Sequence, residues 1–190
     1  MRTEKEMIEL ITRTALEDPR IRGAYLEGSR ANPKVPRRDI FQDYDVEYIV
    51  EDTRPFREDK QWIDRFGERL YMQYPEEGVL YQDADVENWY GWLIQFTDGN
   101  RLDLHVGTAE RAGKNLELYR VLVDKDGLFV KKEESSDERY WIRRPVEREY
   151  LDVCNEFWWC LNNVAKGLWR GEIPYVMDMI DDPVRPMLKR

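Results

Sequence analysis

The sequence is poor in the side chains that bind soft metals or cross-link chains: its 190 residues include one histidine and two cysteines. Cys154 and Cys160 lie six apart in a strongly helical stretch, so on a helix they point about 120° away from each other. That separation excludes a mutual disulfide or a shared metal, and predicts free, buried thiols suited to a reducing compartment. His105 is the only imidazole, so a zinc site has no ligand set and the ring is expected to pack or hydrogen-bond. No apolar run reaches eighteen residues, and the opening MRTEKEMIELI contains no long one. These absences predict a soluble, cytoplasmic protein with no membrane partner. Internal repeats and low-complexity linkers are missing as well.

A positive charge balance is also lacking. Against 30 basic residues stand 39 acidic ones, a formal charge of −9. This disfavours nucleic acid as a partner, because phosphate backbones are recruited by Lys and Arg surfaces, and it suits a cationic small substrate. What the chain does contain is core-forming material. Hydrophobic residues make up 42% of it, with seven Trp and eleven Tyr, enough for one domain or one domain plus part of another.

Apolar spacing predicts a helix over 4–17, ended by Asp18-Pro19, and a strand over Ile21–Glu27, stopped by Gly28-Ser29. Residues 30–41, with Asn32, Pro33 and Pro36, read as a loop. A second strand follows at Tyr44–Val50, a helix at 56–68 and a strand at 70–74. Alternating runs at 89–97 and 101–106 flank Thr97-Asp98-Gly99-Asn100, a hairpin signal. A last strand is expected at 118–123. Beyond it the pattern becomes helical. Ser135-Ser136-Asp137 can cap a short helix through Ile142, and Pro145 suits the first turn of a long helix to about Arg170. Gly171 is a stop, and Pro174 opens another helix. The expected organisation is an α+β domain over 1–134, a mixed sheet with flanking helices, then a helical domain over 135–190. Pro186-Met187-Leu188-Lys189-Arg190 falls within an apolar helical pattern, which predicts that this second domain is truncated.

The chemistry concentrates in three places. A strand ending in Gly28-Ser29 lets a polyphosphate approach, since Gly28 has no side chain and the Ser29 hydroxyl and backbone N–H groups can donate to it. Arg30 can add a planar, charged contact. After thirteen intervening residues come Asp43 and Asp45, two apart at the start of a strand and therefore on one face of the sheet. Hard anionic ligands in that arrangement suit Mg²⁺ shared with substrate phosphates. In 101–106, Leu102, Leu104 and Val106 occupy one face while Arg101, Asp103 and His105 occupy the other. Asp103 is thus the candidate third metal ligand and the general base for an acceptor hydroxyl.

At these residues the chain resembles the aminoglycoside 6-adenylyltransferases, streptomycin-modifying enzymes of the polymerase-β-like nucleotidyltransferase superfamily. The matching stretches are LEGSR at 26–30, FQDYD at 41–45, DGNRLDL at 98–104, LVDKD at 122–126, YWIRRP at 140–145 and CNEFWW at 154–159. The resemblance implies Mg²⁺-dependent transfer of AMP from ATP to a hydroxyl of a streptomycin-type aminoglycoside, release of pyrophosphate, and antibiotic resistance. It places Gly28 and Ser29 at the phosphate-binding turn, Asp43 and Asp45 at the metal pair, and Asp103 at the third acidic strand position. Lys125 stays open between nucleotide contact and turn chemistry, and the assembly is expected to be a monomer or homodimer. Two other readings remain: a nucleotidyltransferase that AMPylates a partner protein, and a truncated, non-catalytic nucleotide-binding remnant.

Overall fold

A computed structural model describes residues 1–34, 38–79, 83–111, 118–129, 137–138 and 141–190. The chain forms two compact units, Met1–Tyr140 and Trp141–Arg190.

The first unit is built on a six-stranded mixed sheet. Its strands are β1 (Ile21–Glu27), β2 (Tyr44–Val50), β3 (Arg69–Gln73), β4 (Trp89–Phe96), β5 (Arg101–Thr108) and β6 (Tyr119–Asp124), in the order β3-β4-β5-β2-β1-β6. Only β2 and β5 run parallel; the other neighbours are antiparallel. Strand alternation sends Leu26, Val46, Tyr48, Trp92, Leu102 and Leu104 to one side, where all are buried. Helix α1 (Glu4–Glu17) contributes Met7, Ile11 and Ala15 to this core through the helical repeat. Thr3 and Glu6 close a capping box at its start: the Glu6 N–H donates to the Thr3 hydroxyl at 3.3 Å and the Thr3 N–H to the Glu6 carboxylate at 2.7 Å.

Two elements differ from the sequence expectation. The helix expected over 56–68 is broken into α3 (Arg54–Glu58) and a 3₁₀ turn at Trp62–Phe66. The cause is local: the Asp59 carboxylate accepts the Gln61 N–H at 3.1 Å, an Asx turn that competes with the helical ladder. Phe56, Trp62, Ile63 and Phe66 still reach the core. The loop expected from Arg30 is preceded by a single helical turn, α2 (Gly28–Ala31).

In the second unit, α4 (Glu147–Arg170) begins after Val146, two residues later than Pro145 at the first helical position would place it. Gly171, at φ 71°, ends α4 in the left-handed conformation that glycine adopts without strain. Pro174 sits in the first turn of α5 (Ile173–Met179), and a π turn at Ile180–Val184 leads to α6 (Arg185–Lys189). Of the short helix expected from the Ser135-Ser136-Asp137 cap through Ile142, residues 135–136 and 139–140 lie outside the described residues, and Trp141 and Ile142 are not helical. Cys160 is buried, Cys154 half-buried, and both are free thiols. Among the described residues no helix is long and apolar enough to cross a membrane.

Candidate metal and nucleotide site

The other face of the sheet carries a small apolar cluster of Tyr25, Ile49, Tyr119 and Phe129 and, beside it, a group of acids. In the parallel register Asp45 of β2 lies directly beside Asp103 of β5, and Asp43 comes from the turn that leads into β2. Each of the three offers a carboxylate oxygen within 4.8 Å of the others. The two expected motifs, far apart in sequence, thus meet at one point. Glu27, at the end of β1, pairs across from Asp45 and adds a fourth acid to the neighbourhood.

Like charge here adds to the effect of burial. Burial, and then repulsion from Asp43, Asp103 and Glu27, push the Asp45 carboxyl up to about 7. Burial also raises the Glu27 carboxyl. An all-oxygen, anionic set whose central member cannot comfortably ionise is what a hard divalent cation relieves, so the donor chemistry fits Mg²⁺.

The phosphate turn is fitted to that set. Gly28 has φ +65°, and a Cβ placed on it would come 2.2 Å from an Asp45 carboxylate oxygen. Both the backbone conformation and the space therefore require glycine. The Ser29 hydroxyl oxygen accepts the Gln42 side-chain amide at 2.9 Å, which leaves its own proton to donate. Arg30, expected at a phosphate, is instead tied into the scaffold. Its guanidinium donates to the carbonyls of Gln42 (2.6 Å) and Asp43 (2.7 Å) and to Glu4 (3.2 Å), over the Tyr44 ring at 3.9 Å. It therefore fixes the backbone that carries Asp43.

Three further residues were not singled out from sequence. Arg101 donates two hydrogen bonds to Asp103, 2.9 and 2.5 Å long, and lies 3.8 Å from Asp43. That pairing, with Asp103 as its main partner, holds the Arg101 guanidinium above its ordinary value. Its signal was the shared strand face of residues two apart. Glu47, two beyond Asp45, is buried; it accepts the Tyr25 hydroxyl, its second oxygen has no partner, and burial pushes it up to about 8. Gly91 lies beneath His105 across the β4–β5 pair: a Cβ there would come 2.2 Å from the imidazole. His105 stacks on Trp89 at 4.6 Å, and burial lowers it to about 4, so it is a neutral packing ring. Lys125 donates to the Asp18 carbonyl at 3.0 Å, a contact of the turn.

A family model described as Streptomycin adenylyltransferase matches residues 1–190. The chain belongs to the streptomycin adenylyltransferase family. Among the relatives of this family member, an aminoglycoside 6-adenylyltransferase of Bacillus subtilis (strain 168) is 44% identical over all of the chain and 68% of its own length. One from Staphylococcus aureus is 36% identical over the same shares. The crystal structure of an aminoglycoside 6-adenyltransferase from Bacillus subtilis superposes with a TM-score of 0.57 at 40% identity, covering 99% of this chain and 65% of that one. The chain thus spans about two thirds of the length of these relatives. Its sheet and flanking helices have the α+β nucleotidyltransferase architecture of the family.

Proposed function

We propose that this chain transfers AMP from ATP to a hydroxyl of a streptomycin-type aminoglycoside in the cytoplasm, with Mg²⁺ as cofactor, and so confers resistance. The observation that carries the proposal is the convergence of Asp43, Asp45 and Asp103 within 4.8 Å, against the Gly28 turn. The relatives, which are aminoglycoside 6-adenylyltransferases by name, support the choice of acceptor. So does the charge of −9, which favours a polycation over nucleic acid.

In the proposed reaction the acceptor oxygen bonds to the α-phosphorus, the bridging P–O bond to the β-phosphate breaks, and pyrophosphate leaves. Asp103 takes the proton of the acceptor hydroxyl, which sharpens the nucleophile. Gly28 lets the phosphate chain lie close to Asp45, while the Ser29 proton and the backbone N–H groups of the turn bind phosphate oxygens. Asp43, Asp45 and Asp103 would hold Mg²⁺, which when bound supplies positive charge against the phosphate oxygens. Arg30 acts indirectly, by holding the carbonyls of Gln42 and Asp43.

Mass spectrometry of streptomycin after incubation with the protein, ATP and Mg²⁺ tests the reading. The expected product is the drug carrying one adenylyl group, absent when Mg²⁺ is chelated. An adenylyl group found on a co-purified protein and never on the drug would favour protein AMPylation instead.

A further inference from the structure

Both oxygens of Asp103 are already taken. Arg101 Nε donates to Oδ1 at 2.9 Å and Arg101 Nη2 to Oδ2 at 2.5 Å, a two-pronged, charge-assisted pair. The same guanidinium stands 3.8 Å from Asp43, so one positive charge spans two of the three candidate ligands. A carboxylate gripped in this way has its best-directed lone pairs occupied, and it can neither ligate a cation fully nor accept a proton until the guanidinium moves.

There is a place for it to go. Arg101 also lines a cavity of about 280 Å³ together with Tyr71, Gln73, Leu93 and Gln95. Leu93 lies directly across the sheet from Asp103, so the cavity adjoins the carboxylates. Its walls suit a guanidinium: Tyr71 presents a largely exposed ring, and Gln95 donates its amide to the Asn100 carbonyl at 3.1 Å while its own side-chain carbonyl stays available to accept. Arg101 is half exposed at the first position of β5, so the side chain can swing while the strand stays in place.

We propose that Arg101 is a counter-ion latch: it closes the acidic cluster when no divalent ion is bound, and it must release Asp103 and move towards the Tyr71–Gln95 cavity as the ion binds. The inference rests on the metal-site reading given above. Arg101 is therefore a positioning residue, acting on the cofactor's access through Asp103, and its charge keeps the cluster folded in the absence of metal.

The test is equilibrium binding of Mn²⁺ alone, without nucleotide, to the wild-type chain and to Arg101→Gln, Arg101→Lys and Asp45→Asn. Removing the competing guanidinium should tighten Mn²⁺ binding about tenfold in Arg101→Gln, the scale of a half-exposed charge-assisted pair. Arg101→Lys keeps the charge but loses the two-pronged geometry, and should tighten it by about threefold. A purely structural Arg101 would lower the melting temperature without tightening metal binding. Unchanged or weaker Mn²⁺ affinity in the folded Arg101→Gln protein, or in Arg101→Lys should the first variant not fold, overturns the latch while leaving the metal site intact. Absence of Mn²⁺ binding by the wild-type chain, or wild-type affinity in Asp45→Asn, overturns the metal reading and the latch together.

Discussion

The two faces of the sheet obey opposite rules. On one face Trp92, Leu104, Tyr48 and their neighbours are sealed beneath α1 and the 3₁₀ turn at Trp62–Phe66. The acid nearest that core, Asp18, is fully served: Arg20 grips it with two side-chain hydrogen bonds and the Trp62 indole donates a third. On the other face Asp43, Asp45, Asp103, Glu27 and Glu47 gather, with Arg101 as the one cation paired with the Asp43 and Asp103 carboxylates among the described residues. One face is satisfied as it stands. The other gathers acids whose protonation is pushed up by burial, Asp45 to about 7 and Glu47 to about 8, a pattern that ligand sites share. The helical unit makes a third contrast, since its core consists of Cys160, Val164, Val176 and Val184 while Trp158, Trp159 and Trp169 stay exposed.

The contrast is broken most decisively by separating activity from stability. Asp45→Asn should lower adenylyl transfer roughly a thousandfold, the scale for removing a charge-stabilising group at a transfer centre. Because Asp45 is held up at about 7, the same variant should be at least as stable as the wild type at pH 8, which thermal denaturation would show. Trp92→Ala should do the reverse, costing about 3–5 kcal/mol of stability in denaturant titration while the surviving folded fraction keeps its transfer rate. Gly28→Ala should fall between the two. Its φ of +65° and the 2.2 Å approach to Asp45 force the turn to shift, with activity falling about a hundredfold and stability by about 1 kcal/mol.

The smallest effect is the most diagnostic one. Burial pushes the Asp18 carboxyl up, but the hydrogen bonds from Arg20 and Trp62 outweigh it and hold the group at about 2, below its ordinary 3.8. Its contribution is therefore present above pH 3.8 and lost as pH falls through 2. Asp45 is shifted the other way, from 3.8 to about 7, so its contribution is full below 3.8 and lost as pH rises through 7. Melting temperatures measured in chelator across pH 4–8 should decline for the wild type and decline less steeply in Asp45→Asn, where Glu47 keeps its own share of the loss, while Asp18→Asn should lower stability throughout that range.

Much of this was legible in the sequence, and the failures share a cause. Alternation located β1, β2 and the β4–β5 hairpin, and the Gly28 turn and the three aspartates were named from motif and strand parity alone. Local pattern could not give the parallel β2–β5 register that sets Asp45 beside Asp103, because no residue in either strand encodes its distant neighbour. Arg30 shows the same limit: adjacency to Gly28-Ser29 suggested a phosphate, and sequence alone did not show that the helical turn of α2 carries the side chain back to the carbonyls of Gln42 and Asp43. Glu47 went unremarked within the strand expected at Tyr44–Val50, although its spacing from Asp45 puts both on one face. The Asx turn at Asp59 escaped because helical spacing of Phe56, Trp62, Ile63 and Phe66 survives the break.

The central claim is that the polar face is a metal-dependent adenylyl-transfer centre, and pyrophosphate release tests it most directly. With ATP and Mg²⁺ present, the wild-type chain should release pyrophosphate only when streptomycin is added, and Asp45→Asn should release it roughly a thousandfold more slowly under the same conditions. Release by Asp45→Asn at the wild-type rate, or no release by the wild-type chain with streptomycin at saturating ATP and Mg²⁺, would contradict it.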